Sequence, residues 1–217
     1  MRRLALSYGC VTISNKGVAW IQMRKMIINL THLILCIGLL LLPIHQTQAA
    51  FVDDLKDGQH VLLMRHADAP GYGDPIGYVI GQCNTQRNLG EYGKNQSKAI
   101  GAWLSNQGIQ KAQVFSSPWC RCLETANLIN KGPVKIEPAL GSFFDDMSLE
   151  KNQTKELEAL VKDTLGRQSR TPIIFITHHV NIQGYTGKAV GVGDMVLARV
   201  SKDGKYLSHT IYPSPKP

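Results

Sequence analysis

Short apolar runs alternate along this chain with stretches whose apolar residues recur every three or four positions. Runs of the first kind, over 60–64, 113–116, 134–136 and 172–177, predict strands, because aliphatic runs bounded by turn formers suit a sheet covered on both faces. Stretches of the second kind, over 91–107, 121–129, 154–167 and 180–186, predict helices. Leu157, Leu160, Val161 and Leu165 make one apolar stripe; Ile100, Trp103 and Leu104 make another, with Gly108 as its stop. Two further strands, 195–200 and 206–211, flank Lys202-Asp203-Gly204-Lys205, whose Asp-Gly step signals a hairpin. The alternation predicts a single α/β domain over 50–217. Its central sheet is mostly parallel with helices on both faces, and an antiparallel hairpin from the C-terminus lies at one edge.

The first 49 residues have a different character. Met23-Arg24-Lys25-Met26 is followed by an apolar run from Leu33 to Leu42, then Pro43 and the small-residue stretch Thr47-Gln48-Ala49-Ala50. That order predicts a secretory signal peptide starting at Met23 and cut after Ala49, with Ala50 the alternative. The run is short against the roughly 20 residues of a membrane span. No stable membrane insertion is therefore expected after cleavage, although an uncleaved anchor is the alternative. Cys36 lies inside the apolar run, so no lipid attachment site is read there. A periplasmic or secreted protein is expected.

This leader changes the charge argument. The whole chain carries 24 Lys and Arg against 16 Asp and Glu, a net of +8. Five of those cations, Arg2, Arg3, Lys16, Arg24 and Lys25, and none of the acids, precede residue 50, which leaves 19 against 16, or +3. Clustered cations of a nucleic-acid footprint are not apparent, so no nucleic-acid partner is expected. A local positive pocket is.

Cys83, Cys120 and Cys122 remain beyond the leader. An oxidising compartment permits a disulfide, and cysteines two apart pair poorly with each other. The expected bridge joins Cys83 to Cys120 or to Cys122. Zinc is the less favoured use, since the C-x-C spacing lacks the usual C-x₂-C signature.

Candidate chemistry gathers where the predicted strands end. The first closes on Met64-Arg65-His66-Ala67, the second leads through Ser116-Ser117-Pro118 to Arg121, and the fourth ends at Thr177-His178. Open α/β folds place ligands beside such strand ends. Two arginines and two histidines suit a phosphoryl dianion: guanidinium forks grip its oxygens, while a neutral imidazole can attack phosphorus. Nearby positive charge favours that neutral form. The turn-rich segment 69–83 follows Arg65-His66 directly and reads as a substrate-facing loop.

Taken together, Met64-Arg65-His66-Ala67, Ser116-Ser117-Pro118, Arg121, Glu124-Thr125-Ala126 and Thr177-His178 resemble the histidine phosphatase superfamily, in its phosphoglycerate mutase-like branch. Thr85-Gln86-Arg87-Asn88-Leu89 and Trp119-Cys120-Arg121-Cys122 resemble its secreted members. The resemblance implies a phosphoglycerate mutase-like fold and a metal-independent, cofactor-free phosphatase. His66 would be the phosphorylated nucleophile, Arg65 and Arg121 the phosphate ligands, and His178 the second histidine. Arg87 would reach substrate, with His179 beside the site.

Many relatives place a glutamate proton donor after the third strand. The matching stretch, Pro138 to Asp146, has glycine near that position, which leaves Asp145, Asp146 or Glu137 as donor, with Asp145 favoured. Trp119, Phe143 and Phe144 read as packing or pocket wall. His178-His179 is disfavoured as a metal pair because adjacent side chains diverge and the arginines repel a cation. The expected substrates are phosphorylated small molecules or envelope saccharides. The alternatives are a non-catalytic phosphate-binding module of the same fold and, less favoured, a phosphomutase.

Overall fold

Strands β1 (His60–Arg65), β2 (Gln113–Ser116), β3 (Val134–Ile136) and β4 (Ile173–Thr177) run parallel, β5 (Met195–Val200) pairs antiparallel with β1, and β6 (Tyr206–Tyr212) pairs antiparallel with β5. Their order across the sheet is β3-β2-β4-β1-β5-β6. This is a computed structural model; it describes residues 50–167 and 170–217, which fall within one compact unit, Gln48–Pro217. The leader read over 1–49 lies outside the described residues. Among the described residues, no helix is long and apolar enough to cross a membrane.

Successive side chains of a strand point to opposite faces, and here both faces are apolar. Leu62, Met64, Ile174, Ile176, Met195 and Leu197 join one core, packed beneath helices α1 (Glu91–Asn106) and α2 (Cys120–Ile129). Their sequence neighbours Val61, Leu63, Ile173, Phe175, Val196 and Ala198 join the other core, under α3 (Glu150–Gly166) and α4 (His179–Thr186). Each fully buried aliphatic side chain stabilises the fold by about 1.5–3 kcal/mol, and the strands supply them in both directions. The sheet is thus a wall between two cores, and its polar business is pushed to the strand ends.

The predicted elements are all present, with shifted ends. The strand at 60–64 extends through Arg65, which pairs with Thr177. Helix α3 begins at Glu150 rather than at 154, because its first turns are mostly solvent-facing and carry no apolar period. A short 3₁₀ turn at Met147–Leu149, capped by the Asp146 side chain, leads into it. Helix α1 stops as expected: Gly108 takes φ +87, and the Ile109 N–H donates back to the Leu104 carbonyl. The hairpin turn is likewise present, with Gly204 at φ +77 between β5 and β6.

Helices α1 and α2 approach closely at Gly101. A Cβ there would stand 2.4 Å from the carbonyl oxygen of Ile129, a backbone atom that has little freedom to yield. Gly101→Ala should therefore destabilise the domain by about 1–3 kcal/mol through overpacking. The check is urea unfolding, in which the midpoint should fall with little change in slope.

Candidate active site

Three parallel strand ends deliver the candidate residues to one cavity of 310 Å³. After β1, the His66 N–H donates to the Thr177 carbonyl at 3.0 Å, and the His66 carbonyl accepts from Gly193 at 3.1 Å. After β2, the Ser117 N–H donates to Ile176 at 2.9 Å, and the chain turns at Trp119 into α2, which carries Arg121 in its first turn. After β4, His178 caps the start of α4. Arg65, His66, Arg121 and His178 all line the cavity, as do Arg87, His179 and Asp145.

The two histidines face each other edge to face, ring centroids 5.4 Å apart. Both are buried. Burial first, then the charges of Arg121, Arg65 and Arg87, holds His66 well below its ordinary pKa of 6.5, against a raising pull from the Ala67 carbonyl. Burial, then His66 and Arg121, does the same to His178. Both imidazoles are neutral near pH 7. His66 Nδ1 lies 2.8 Å from the Ala67 carbonyl oxygen, which can only accept, so the single ring proton sits on Nδ1. Nε2 is left with its lone pair. His178 Nε2 is within 2.8 Å of the Ser117 hydroxyl, which also accepts from the Trp119 N–H at 3.3 Å.

The guanidinium groups are each tied along one side. Arg65 Nη1 donates to the Val190 carbonyl at 2.9 Å, while its Nε is buried and unpartnered. Arg121 Nη1 donates to both carboxylate oxygens of Asp74, at 2.9 and 3.0 Å, and its Nε is likewise buried and unpartnered. Buried N–H groups without acceptors are costly, and an incoming oxyanion would supply acceptors to both. Arg87 donates through Nε to Gly73 at 2.8 Å and through Nη1 to Ala69. It is thereby fastened to the loop that follows His66.

Several residues to which the sequence reading assigned no physical role hold this arrangement. Asp74 has a side chain only 3% exposed, and it also accepts from the Arg87 N–H at 2.9 Å and from Trp119 Nε1 at 3.2 Å. Its Asp-Pro turn context was legible, but its partner stands far along the chain. Gln96 of α1 accepts from the Asp68 N–H at 2.9 Å and donates to Val192 and to Ser214 Oγ, joining three segments around the cavity. Thr125 accepts from the Ala67 N–H at 3.1 Å and donates to the Arg121 carbonyl at 2.7 Å. The Thr-Ala pair thus locks the turn behind His66 to the helix that carries Arg121.

The structure also corrects or narrows four expectations. The cavity is not simply positive: Asp68, Asp74 and Asp145 line it together with Arg65, Arg87 and Arg121. The disulfide joins Cys83 to Cys120, not to Cys122, because Cys122 faces the core beneath α2 and is fully buried. Burial first pushes the Cys122 thiol up to about 12, so it stays protonated and unreactive. Of the possible donors, Asp146 accepts from the Ser148 N–H and hydroxyl, and Glu137 does not line the cavity. Trp119 proves to be more than wall, since it packs edge-on against His178 at 5.2 Å as well as donating to Asp74.

Comparison with known proteins now fits this geometry. The model of the histidine phosphatase superfamily, branch 1, matches residues 61–174, just over half of the chain, and the chain belongs to that family. The mitochondrial serine/threonine-protein phosphatase Pgam5 of Drosophila ananassae is 34% identical over 76 residues, 35% of this chain. That match spans only 24% of the relative's length. Among solved structures, a mycobacterial glucosyl-3-phosphoglycerate phosphatase superposes with a TM-score of 0.52 at 11% identity, covering 70% of this chain and 96% of its own. Phosphoserine phosphatase of Entamoeba histolytica gives 0.50 at 13% identity, over 69% and 95%. At such identities the likeness is one of fold.

Two expectations follow from the buried charges. Removing one partner of a buried ion pair strands the other, so Asp74→Ala should cost about 3–5 kcal/mol of stability, read by urea unfolding. The histidines set a pH dependence. Unfolded, both titrate near 6.5; folded, both remain neutral to lower pH, so below 6.5 the unfolded chain binds more protons. Stability is therefore full above 6.5 and falls as the pH drops beneath it, by about 1.4 kcal/mol per pH unit for each histidine. Unfolding curves collected between pH 7 and 5 check this, and the slope should shrink in His178→Ala.

Proposed function

We propose that this protein is a phosphatase that hydrolyses phosphate monoesters through a phosphohistidine on His66, with no metal, outside the cytoplasm. The observation that carries the reading is the pairing of a neutral His66, its Nε2 lone pair left free, with two guanidinium groups whose Nε donors have no acceptor among the described residues. A phosphoryl group between Arg65 and Arg121 satisfies both.

The chemistry follows from those atoms. The Nε2 lone pair attacks phosphorus as the ester P–O bond breaks, and the leaving oxygen takes a proton. Asp145 is the proposed donor: it lines the cavity, is exposed to solvent and is held by the Tyr78 hydroxyl at 2.9 Å. Water then attacks the phosphohistidine and gives its proton to the same carboxylate, the P–N bond breaks, and His66 returns with phosphate released. Arg65, Arg121 and a proton on His178 Nδ1 stabilise the equatorial oxygens as charge shifts onto them. The Ser117 hydroxyl, donating to His178 Nε2, favours that tautomer. An extracytoplasmic site is supported by the Cys83–Cys120 disulfide, a bond that persists in oxidising compartments, and by the leader pattern of the sequence. Phosphorylated small molecules and envelope saccharides are the substrates that suit such a site.

One observation favours a second reading, a non-catalytic phosphate-binding module: among the described residues no glutamate lines the cavity. The residues 50–217 should hydrolyse an activated aryl phosphate in the presence of a chelator. His66→Ala should lose that activity by at least about a thousandfold. Because His66 holds its lone pair at low pH, the acid limb of kcat/KM should lie below 6.5. Phosphate binding without turnover would select the binding module, and equal turnover in both proteins would remove His66 from the nucleophile's role.

A further inference from the structure

Beyond the phosphoryl group itself, the cavity carries information about what that group is attached to. We infer that the leaving-group side of the cavity selects esters of neutral or cationic alcohols and rejects those bearing a second anion close to the phosphate. This rests on the phosphatase reading and specifies its substrate class.

Three arginines and three aspartates line the cavity, and both buried histidines are uncharged. Arg121 is matched by Asp74. Arg65 and Arg87 lie within electrostatic reach of Asp68, whose own backbone is fixed by Gln96 and by the N–H of Gly90. A phosphoryl dianion takes the free edges of Arg65 and Arg121. Arg87 is within the same electrostatic neighbourhood and is fastened to Ala69 and Gly73. Once the dianion is seated, its two charges together with those of Asp68 and Asp74 outweigh the three guanidinium groups, before Asp145 is counted at all. A carboxylate or second phosphate on the leaving group would add to that negative excess.

The outer wall supplies the positive side of the selection. Tyr72, 89% exposed, packs edge-on against Phe144 at 5.2 Å, and Phe144 in turn lies 5.6 Å from His179. Both aromatic rings line the cavity beside Asp145 and Ser142. Ring faces next to carboxylates attract an ammonium group through the ring quadrupole, and they also cover the apolar face of a polyol while the carboxylate accepts its hydroxyls. Neither arrangement suits an anion.

The test compares three esters that differ in the charge of the alcohol: O-phosphoethanolamine, glycerol 3-phosphate and 3-phosphoglycerate. The last two differ only in a hydroxymethyl group against a carboxylate. Titration calorimetry on His66→Ala, where nothing is consumed, should give the tightest binding to phosphoethanolamine and the weakest to 3-phosphoglycerate. The two isosteres should differ by about tenfold or more, the order of a unit-charge repulsion across partly screened protein. Adding Asp68→Asn should narrow that gap several-fold. Competition by the three esters against aryl phosphate hydrolysis in the wild-type protein gives the same order without any substitution. If inorganic phosphate binds but 3-phosphoglycerate matches or exceeds glycerol 3-phosphate, the selectivity is overturned and the phosphate pocket stands. If neither phosphate nor any ester binds, the phosphatase reading has failed and the selectivity falls with it.

Discussion

Arg121 is almost wholly removed from water, and a guanidinium in that position must be paired or it would unfold the site that contains it. Asp74 is the answer this chain provides, and much of the local architecture serves to keep Asp74 there. The turn-rich loop after His66 carries it inward. Arg87 ties that loop to itself through Gly73 and Ala69, and the disulfide fastens the loop's far end to Cys120, the residue beside Arg121. Because Asp74 occupies only Nη1, it steers the guanidinium without exhausting it. Arg121 lines the cavity with its Nε still without a partner among the described residues, a donor set in place before any oxyanion arrives.

Burial does a second job at the histidines. Dehydration alone would leave an imidazole neutral, but it would not choose which nitrogen keeps the proton. The Ala67 carbonyl makes that choice for His66, and Thr125 holds Ala67 in place from across the α2 boundary. A motif that reads as a family marker in the sequence, Thr-Ala after an arginine, thereby acquires a physical role. It links the turn behind His66 to the helix that carries Arg121.

The sheet, its two apolar faces and the strand-end residues were legible because each rests on a short-range pattern: alternation, helical spacing, or a charged dipeptide closing an apolar run. Asp74 and Gln96 were not, since their partners lie far along the chain and no local periodicity announces them, and the bond from Ser117 to His178 was hidden for the same reason. The choice between Cys120 and Cys122 shows the same limit at close quarters. Two residues apart on a helix are separated by roughly 200° around its axis, so one of them faces the loop and the other the core. Which is which depends on where α2 begins, and it begins at Cys120, one residue before the sequence-based estimate. The expectation of a positive pocket failed for a related reason. Net charge along a chain says nothing about which aspartates a loop will fold back over the arginines.

Those aspartates also bear on how a phosphatase without a glutamate in its cavity could work. On the proposed mechanism a leaving alkoxide needs a proton, and Asp145, open to water and held by Tyr78, is placed to supply it. A carboxylate buried against an arginine cannot do so as freely. Asp74 has the geometry of a support and Asp145 that of a carrier, although both are aspartates lining one cavity. The division follows from exposure and partners rather than from residue type. On the proposed mechanism, a sequence that lacks the expected glutamate need not lack the function: the acid arrives on a neighbouring turn, and the loop opposite supplies the Tyr78 hydroxyl that orients it.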